Sequence, residues 1–567
     1  MDYIIIFFFT VLITCSFLGY GIMATNYINK DILGVNVGYI GLLGLLTCTI
    51  ISYATIYFFK HGFFHNIILH IIGLCAFYYF FSKKKINFNI GFSFLIFLIL
   101  FIGLLIIRNH DDFNYYHLTY SLGLTENKLI LGLGNLGNRY NKHSSIFFLN
   151  SIIYLPIIKH YLFHSTGWIT LFFINLILLE QILKNSKTKL DIEFYLSLFI
   201  FLFINFKFFR IGGYGTDISG QIIILSIIPL IFNLYKFEKI EQINKRDLSI
   251  IILLITYAST IKSFLILNFL YLIPLLFFTK IKKIKSIILI KVYSLSFVAM
   301  IFLMSINISY SGCAIYPVKF TCLENKLEWS LTKKHVENQN NWYQQWSKSG
   351  AGINYRIKDP KEYIGKFNWV PNWYERYFKY KFKETLLGIL FLSFLILVLF
   401  KNSKNSKNKK INLNNNVKRS VIISFIVTLI LFFEWFYHHP ALRYGGYYLL
   451  VTLIFLPLSV FLTKRNINFD KKYNIIISLI VVSYVLFNLK NFSRVIEEMK
   501  IIKNHDFPYF YSPKQEFETV MIGNNINVYK PKNPNMGCWI IKTPCKHHAD
   551  HVIGKKIGPY DAILRKN

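Results

Sequence analysis

IGFSFLIFLILFIGLLII, residues 90–107, runs without a single charge, and the chain then turns at once to RNHDDFNYYH (108–117). A second uncharged run, VGYIGLLGLLTCTIISYATIYFF, lies at 37–59. Runs of about 18 or more such residues read as membrane-spanning helices, because only a helix satisfies every backbone group inside lipid. A large buried core helix would explain one such run, but this sequence has many. The composition agrees: of 567 residues 54% are apolar or aromatic and 16% charged, against roughly a quarter charged in soluble domains. The first residues, MDYIIIFFFTVLITCSFLGYGIMAT, place Asp2 where a cleaved signal would be basic, and Thr14 before Cys15 does not suit a lipoprotein site. They are therefore expected to form the first span.

Spans are expected near 3–24, 36–58, 66–82, 90–108, 167–183, 190–206, 221–235, 248–261, 263–279, 286–308, 385–400, 420–436, 447–463 and 473–489. The pair 248–279 is short for two full crossings and reads equally as a re-entrant hairpin. The fold class is thus an all-α polytopic membrane protein of about 14 transmembrane helices, with interfacial helices, one long outer loop and a small outer C-terminal region. The excess of 63 Lys+Arg over 28 Asp+Glu resembles that of a nucleic-acid binder. Its distribution excludes that reading: the basic residues sit in short clusters between apolar runs. Lys83–Lys85, Lys184/Lys187/Lys189, Lys236/Lys239/Lys245/Arg246, Lys280/Lys282/Lys283/Lys285, the Asn/Ser-rich tract 401–419 and Lys464/Arg465/Lys471/Lys472 all fall on one side by parity. The positive-inside rule makes that side the cytoplasm. Parity also requires SSIFFLNSIIYLPIIKHYLFH (144–164) to begin and end outside, so it is expected as an interfacial helix. The organisation is then 1–89 N-terminal spans; 90–308 membrane core with the acidic outer loop 109–166; 309–384 the Trp-rich outer loop; 385–489 C-terminal spans; and 490–567 an outer tail.

The chemistry-bearing residues gather in the outer segments 109–166, 207–220, 309–384, 437–446 and 490–567. Asp111 and Asp112 follow the fourth span directly, flanked by His110 and His117. Paired acids there fit a general base with an orienting partner; the plain alternative is a solvated stop to the helix. KFFRIGGYGTDISG (207–220) sets Arg210 and Asp217 beside a turn expected to be flexible at Gly212, Gly213 and Gly215. Lys262 interrupts an apolar stretch, as a lysine facing a cavity or one that snorkels outward. EWFYHHPALRYGGYY (434–448) carries His438, His439 and Arg443, a set suited to a phosphate or to lipid headgroups. Five of the eight tryptophans, Trp329, Trp342, Trp346, Trp369 and Trp373, share the long loop. They read as an interfacial aromatic belt or as a sugar-stacking lid. Cys15, Cys48 and Cys75 lie in spans, whereas Cys313, Cys322, Cys538 and Cys545 lie outside. The outer four read as disulfides Cys313–Cys322 and Cys538–Cys545; zinc with His547, His548 or His551 is the rival. No phosphate-binding loop is present.

With the acidic pair Asp111–Asp112 directly after an early span, the interfacial segment 144–164 and Asp217 in the next outer loop, the chain resembles the GT-C superfamily of membrane glycosyltransferases. Its wider pattern of HDDFNYYH, SGCAIYPVKFTC and ALRYGGY is similar to bacterial membrane proteins grouped with that superfamily. This group includes the protein O-mannosyltransferases and the bacterial enzymes that transfer aminoarabinose to lipid A. The resemblance covers roughly residues 90–490, with three spans ahead of the acidic loop where most members have one. It implies an enzyme of the bacterial cytoplasmic membrane with its active site on the periplasmic side. Such an enzyme moves a sugar, with inversion, from a polyprenyl-phosphate-linked donor to a lipid or glycan acceptor. Asp111 would be the base, Asp112 and Asp217 the further acids. Arg443, with Lys262, Arg210, His438 and His439, would hold the donor phosphate. A divalent metal, Mg or Mn, between Asp111 and Asp217 is a further implication. Other readings are an O-antigen polymerase or ligase, and a lipid-linked oligosaccharide transporter, which would need polar residues spread through its spans.

Overall fold

Each expected span falls on a helical segment, although the run 90–107 leaves its helix after Leu104, where Leu105 is extended. The computed structural model describes residues 2–28, 36–83, 89–110, 112–186, 190–214, 216–236, 244–278, 287–350, 359–400, 413–464, 469–503, 513, 515–523, 526–533, 537–546 and 549–566. Among the described residues, ten helices are long and apolar enough to cross a membrane. They are Tyr3–Ile28, Val37–Thr55, Phe63–Ser82, Ser165–Lys184, Asp217–Leu234, Ile290–Ser311, Val370–Leu399, Asn415–His438, Gly446–Thr463 and Lys472–Ile501. The other four expected spans fall on shorter helices, Ile90–Leu104, Ile192–Lys207, Lys245–Ile261 and Ser263–Leu275. The chain is a helical, multi-pass membrane protein.

The helix surfaces show why. On Asn415–His438, Ile422, Ile426, Ile430 and Phe433 recur every three or four residues and are exposed, while Ser420, Ser424 and Thr428 are buried. That arrangement is the reverse of a helix in water and is stable where the surroundings are themselves apolar. Inside the bundle, backbones approach closely. A Cβ on Gly21 would lie 1.9 Å from the Ile40 carbonyl oxygen, and one on Gly44 equally close to that of Phe17. Small residues at this crossing let the first two helices pack backbone to backbone.

Helix ends assigned to one side by parity do meet. Lys236 pairs with Glu193, Arg419 donates to the Tyr235 carbonyl at 3.3 Å, and Lys472 to that of Leu399 at 2.7 Å. At the opposite end the acidic loop, the Trp-rich loop, the 437–446 turn and the tail come together. Of the basic tract 401–419, residues 401–412 lie outside the described residues.

Several expectations need correction. Residues 144–164 do not form a surface helix. Only Ser145–Ile152 is helical, and all eight of its residues are buried; turns follow, with Ile157 and Lys159 at positive φ. Asn66 holds this segment from below, donating to the Ser151 and Tyr154 carbonyls at 2.9 and 2.8 Å. His61 Nδ1 meets Ser151 Oγ at 2.7 Å. The second and third helices and the turn between them thus buttress the acidic loop. Gly212 and Gly213 lie in a short helix, Ile211–Tyr214, while Gly215 is outside the described residues. The helix following the Trp-rich loop begins well before 385, with a π-helical stretch Tyr374–Phe382 leading into Lys383–Leu399. The last long helix, Phe469–Ile501, continues past 489.

The tail forms two antiparallel hairpins, β1 (Phe517–Ile522) with β2 (Ile526–Pro531) and β3 (Val552–Ile557) with β4 (Tyr560–Arg565). It docks on the acidic loop. Leu131 N–H donates to the Asp561 carbonyl at 2.9 Å, and Ile563 N–H to that of Leu131 at 2.8 Å. Glu126 Oε2 accepts from the Thr543 amide and hydroxyl at 2.7 and 2.8 Å. Both expected disulfides, Cys313–Cys322 and Cys538–Cys545, are formed. Cys15, Cys48 and Cys75 are free.

Candidate functional site

Four segments distant in sequence supply one charged network. Asp112 stands at the start of a π-helical turn, Phe113–His117, in which the Leu118 N–H reaches back to the Phe113 carbonyl. Such turns are rare and occur often at functional sites. Asp217 lies in the first turn of Thr216–Leu234, where a carboxylate also faces the positive end of the helix dipole. Lys262 sits at the break between Lys245–Ile261 and the 3-10 helix Ser263–Leu272, its backbone extended. Arg443 projects from the short turn Leu442–Tyr444.

Their side chains converge. Arg443 Nη2 donates to Asp112 Oδ2 and Arg443 Nε to Asp217 Oδ2, each at 2.9 Å. Lys262 Nζ donates to Asp217 Oδ1 at 2.7 Å. Asp217 is the most buried member, its side chain 6% exposed. Burial, the largest single influence, would raise the Asp112 carboxyl; the Arg443 charge and hydrogen bond, with His117 and His110 nearby, together outweigh it and hold Asp112 below the usual carboxylate range. His110 Nδ1 accepts the Asp112 backbone N–H at 3.1 Å.

The turn carrying Arg443 is fixed on every side. Gln221 Nε2 donates to the Leu442 and Arg443 carbonyls at 3.3 and 2.9 Å, and its Oε1 accepts from Tyr447 N–H at 3.2 Å. Trp373 Nε1 donates to the Pro440 carbonyl at 2.7 Å, Trp435 Nε1 to that of Ala441 at 3.1 Å, and Leu442 N–H to Tyr377 Oη at 2.8 Å. Gly445 takes φ 124° to launch the next helix, a conformation other residues seldom adopt. An aromatic wall surrounds the cations: Arg443 lies 5.6 Å from the Trp346 ring centroid, and Lys262 5.0 Å from that of Tyr444. Lys142 lies 4.5 Å from the Tyr116 ring and 5.4 Å from that of Tyr115.

Residues 1–450 match a family described as a domain of unknown function, DUF8201. The chain belongs to the DUF8201 family. The matched region takes in Asp112, Asp217, Lys262 and Arg443, so the whole network lies inside the DUF8201 domain, while both tail hairpins lie beyond it. No curated protein and no solved structure matches the chain.

The other expected residues either stand apart from this network or lie outside the described residues. Asp111 lies outside the described residues, as do His547 and His548. Arg210 turns away, pairing with Glu498 Oε1 at 3.1 Å and donating to the Arg108 carbonyl at 3.0 Å. Glu498 also takes Arg494 at 3.0 Å, a buried cluster that fastens the last long helix to the acidic loop. His439 stands beside the Tyr444 ring, its Nδ1 3.5 Å from Ser347 Oγ; burial pushes it down to about 3, keeping it neutral. His438 packs on Tyr437. Neither histidine makes a hydrogen bond to Arg443. Among the described residues no group of His, Cys, Asp or Glu is placed to hold a metal ion; both Asp217 oxygens are engaged by cations. Of the tryptophans, Trp346 reaches the site, Trp369 and Trp373 are core, Trp329 donates to the Ile308 carbonyl, and Trp342 is exposed.

Sequence reasoning passed over Gln221, Tyr444 and Lys142. The only signal for Gln221 was a long polar side chain one turn past Asp217 in an otherwise apolar helix. His117, noted as a flank of the acidic pair, is buried and pushed down to about 3. Its Nε2 has no partner among the described residues.

Proposed function

We propose that this chain is a GT-C-type membrane glycosyltransferase. It moves a sugar from a polyprenyl-phosphate-linked donor to an acceptor hydroxyl at the outer face of the cytoplasmic membrane, with inversion. The observation that supports this reading is the meeting of Asp112, Asp217, Lys262 and Arg443 at the end of the bundle. Charged side chains near membrane depth are costly, and their pairing there marks a functional site by default. In the proposed reaction the acceptor O–H gives its proton to a carboxylate, and its oxygen bonds to the anomeric carbon. The bond from that carbon to the phosphate oxygen breaks, with the electron pair leaving on phosphate. Asp112 is tied to Arg443, so the base is assigned to its neighbour Asp111. Arg443 and Lys262 stabilise the charge that develops on the departing phosphate. Trp346, above Arg443, offers a ring on which a sugar can stack.

The test is turnover by the purified protein in lipid nanodiscs, with a radiolabelled sugar on polyprenyl phosphate. Asp111→Asn keeps shape while removing the base and should lower the rate roughly a hundredfold or more. Arg443→Ala should weaken donor handling and leaving-group departure. Full activity of Asp111→Asn would remove the proposal.

A further inference from the structure

Three cations border the network, and their commitments differ. Arg443 spends Nε on Asp217 and Nη2 on Asp112, and Lys262 spends its ammonium on Asp217. Lys142 forms no ion pair with any described carboxylate. It rests on the faces of Tyr115 and Tyr116, the two aromatics of the π-helical turn that opens with Asp112. Tyr115 is itself shared, with the Arg139 guanidinium 4.9 Å from the same ring. Arg139 is buried and donates to Cys538 Sγ at 3.0 Å, so it is fixed in place, whereas Tyr115 is 45% exposed. The site therefore presents an uncommitted ammonium on an accessible aromatic platform, beside a guanidinium that is already held.

Resting on the phosphate-donor reading above, we propose that Lys142 is the residue that first engages the ligand's phosphate, ahead of Arg443 and Lys262. A partly buried ammonium with only ring faces for company is poorly compensated. An arriving phosphate oxygen supplies the missing anion without first breaking the Asp112–Arg443–Asp217 bridge. The charges of Arg443 and Lys262 are already balanced by Asp112 and Asp217, so an arriving phosphate gains less from them than from the unpaired ammonium. The recognised chemistry is a phosphate ester, and an attached lipid or a free phosphate ion are the two sources to separate.

The groups acting on the Lys142 ammonium are Asp112, Asp217, Lys262 and Arg443, with burial the largest influence, and together they bring it down to about 8. It carries its charge below that pH and loses it above. A phosphate monoester has its second ionisation near pH 6, so between pH 7 and 9 the ligand's charge is nearly constant and a change in binding reports the protein.

The experiment is a titration of the full-length protein in nanodiscs with farnesyl phosphate, farnesol and inorganic phosphate at fixed ionic strength, from pH 7 to 9. Farnesyl phosphate should bind, weakening about tenfold over that range as the lysine deprotonates; farnesol should not bind. Lys142→Gln should weaken binding at pH 7 by about tenfold and flatten the profile. Lys142→Arg, charged throughout, should keep the affinity and lose the pH dependence. Wild-type affinity and profile in Lys142→Gln would overturn the assignment, as would binding of neither phosphate by the wild type. If Lys142→Gln does not fold, a Lys142→Arg profile that still falls with pH overturns it. Inorganic phosphate binding as tightly as farnesyl phosphate, and through Lys142, would keep the residue's role and overturn the lipid donor. Lys142-dependent lipid-phosphate binding without sugar transfer would keep it and overturn the glycosyltransferase reading.

Discussion

Asp217→Asn is the sharpest perturbation of the network, because the two acids are held so differently. Asp217 accepts from Lys262 at 2.7 Å and from Arg443 at 2.9 Å, with its side chain 6% exposed. Among the described residues Asp112 accepts a side-chain hydrogen bond from Arg443 alone, and its side chain is 23% exposed. Removing the Asp217 charge breaks the charged hydrogen bonds to both Lys262 and Arg443 at the most buried point of the network. Breaking a buried pair in this way costs about 3–5 kcal/mol. Asp112→Asn removes one charged hydrogen bond, worth about 1.5–3 kcal/mol before screening. Water can reach that site and Arg443 keeps Asp217, so about 1–2 kcal/mol is expected. The assay is thermal unfolding in detergent, followed by intrinsic fluorescence and by size-exclusion recovery, for both single variants and for Asp217→Asn combined with Lys262→Gln. The double variant should be more stable than the two single losses added together, since no charge is then left without its partner. Equal or reversed effects of the two Asp→Asn changes would refute the reasoning, as would simple additivity in the double variant.

Three further outcomes follow from the geometry. Asp112 is held below its ordinary range, so its contribution is fully present above the unfolded value of about 3.9 and is lost as pH falls through the folded one. The stability difference between wild type and Asp112→Asn should therefore be level from pH 7 to about 5 and close on further acidification; a difference that grows in acid would contradict it. Glu126→Ala removes two hydrogen bonds to Thr543, so limited proteolysis should cut the tail faster while the helices stay intact, and unchanged cutting would show that the hairpins hold alone. Single cysteines at 401–419 should be protected from an impermeant reagent in intact cells and those at 333–350 labelled; the opposite pattern inverts the orientation and every functional statement with it.

What could be read without coordinates follows from what lipid makes obligatory. Uncharged runs long enough to enter lipid read as helices, as 90–104 is, and basic clusters fix parity, so helix positions and the grouping of Asp112, Asp217, Lys262 and Arg443 at one end were legible. Burial within that end was not. Residues 144–164 are apolar with a few polar members, a pattern equally at home at a lipid surface or under other loops. The structure buries Ser145–Ile152 because Asn66, His61 and the acidic loop enclose it. Arg210 shares the depth of Asp217, but Glu498, far along the chain, holds it elsewhere. The tail hairpins carried a weak signal: Gly558–Pro559 and Gly523 each stand between short runs that contain β-branched residues. Lys142 and Gln221 carried almost none, one lying in a loop and the other in a helix, each significant only through neighbours brought from other segments.

Those neighbours explain how a site so rich in charge is tolerated at the end of an apolar bundle. Both carboxylates are neutralised before any ligand arrives, so the protein folds without an isolated buried anion. The same pairing holds Arg443 by two donors in a fixed orientation, and Gln221, Tyr377, Trp373 and Trp435 hold its backbone. A ligand therefore meets a guanidinium whose ordering cost was met in folding, which is the condition under which charge developing later is stabilised most. The price is that the charges of Arg443 and Lys262 are already balanced, which weakens their first pull on an arriving phosphate. A chain that uses its strongest cations to hold its own acids needs a separate group to make first contact, and on the aromatic platform next to Asp112 that group is Lys142.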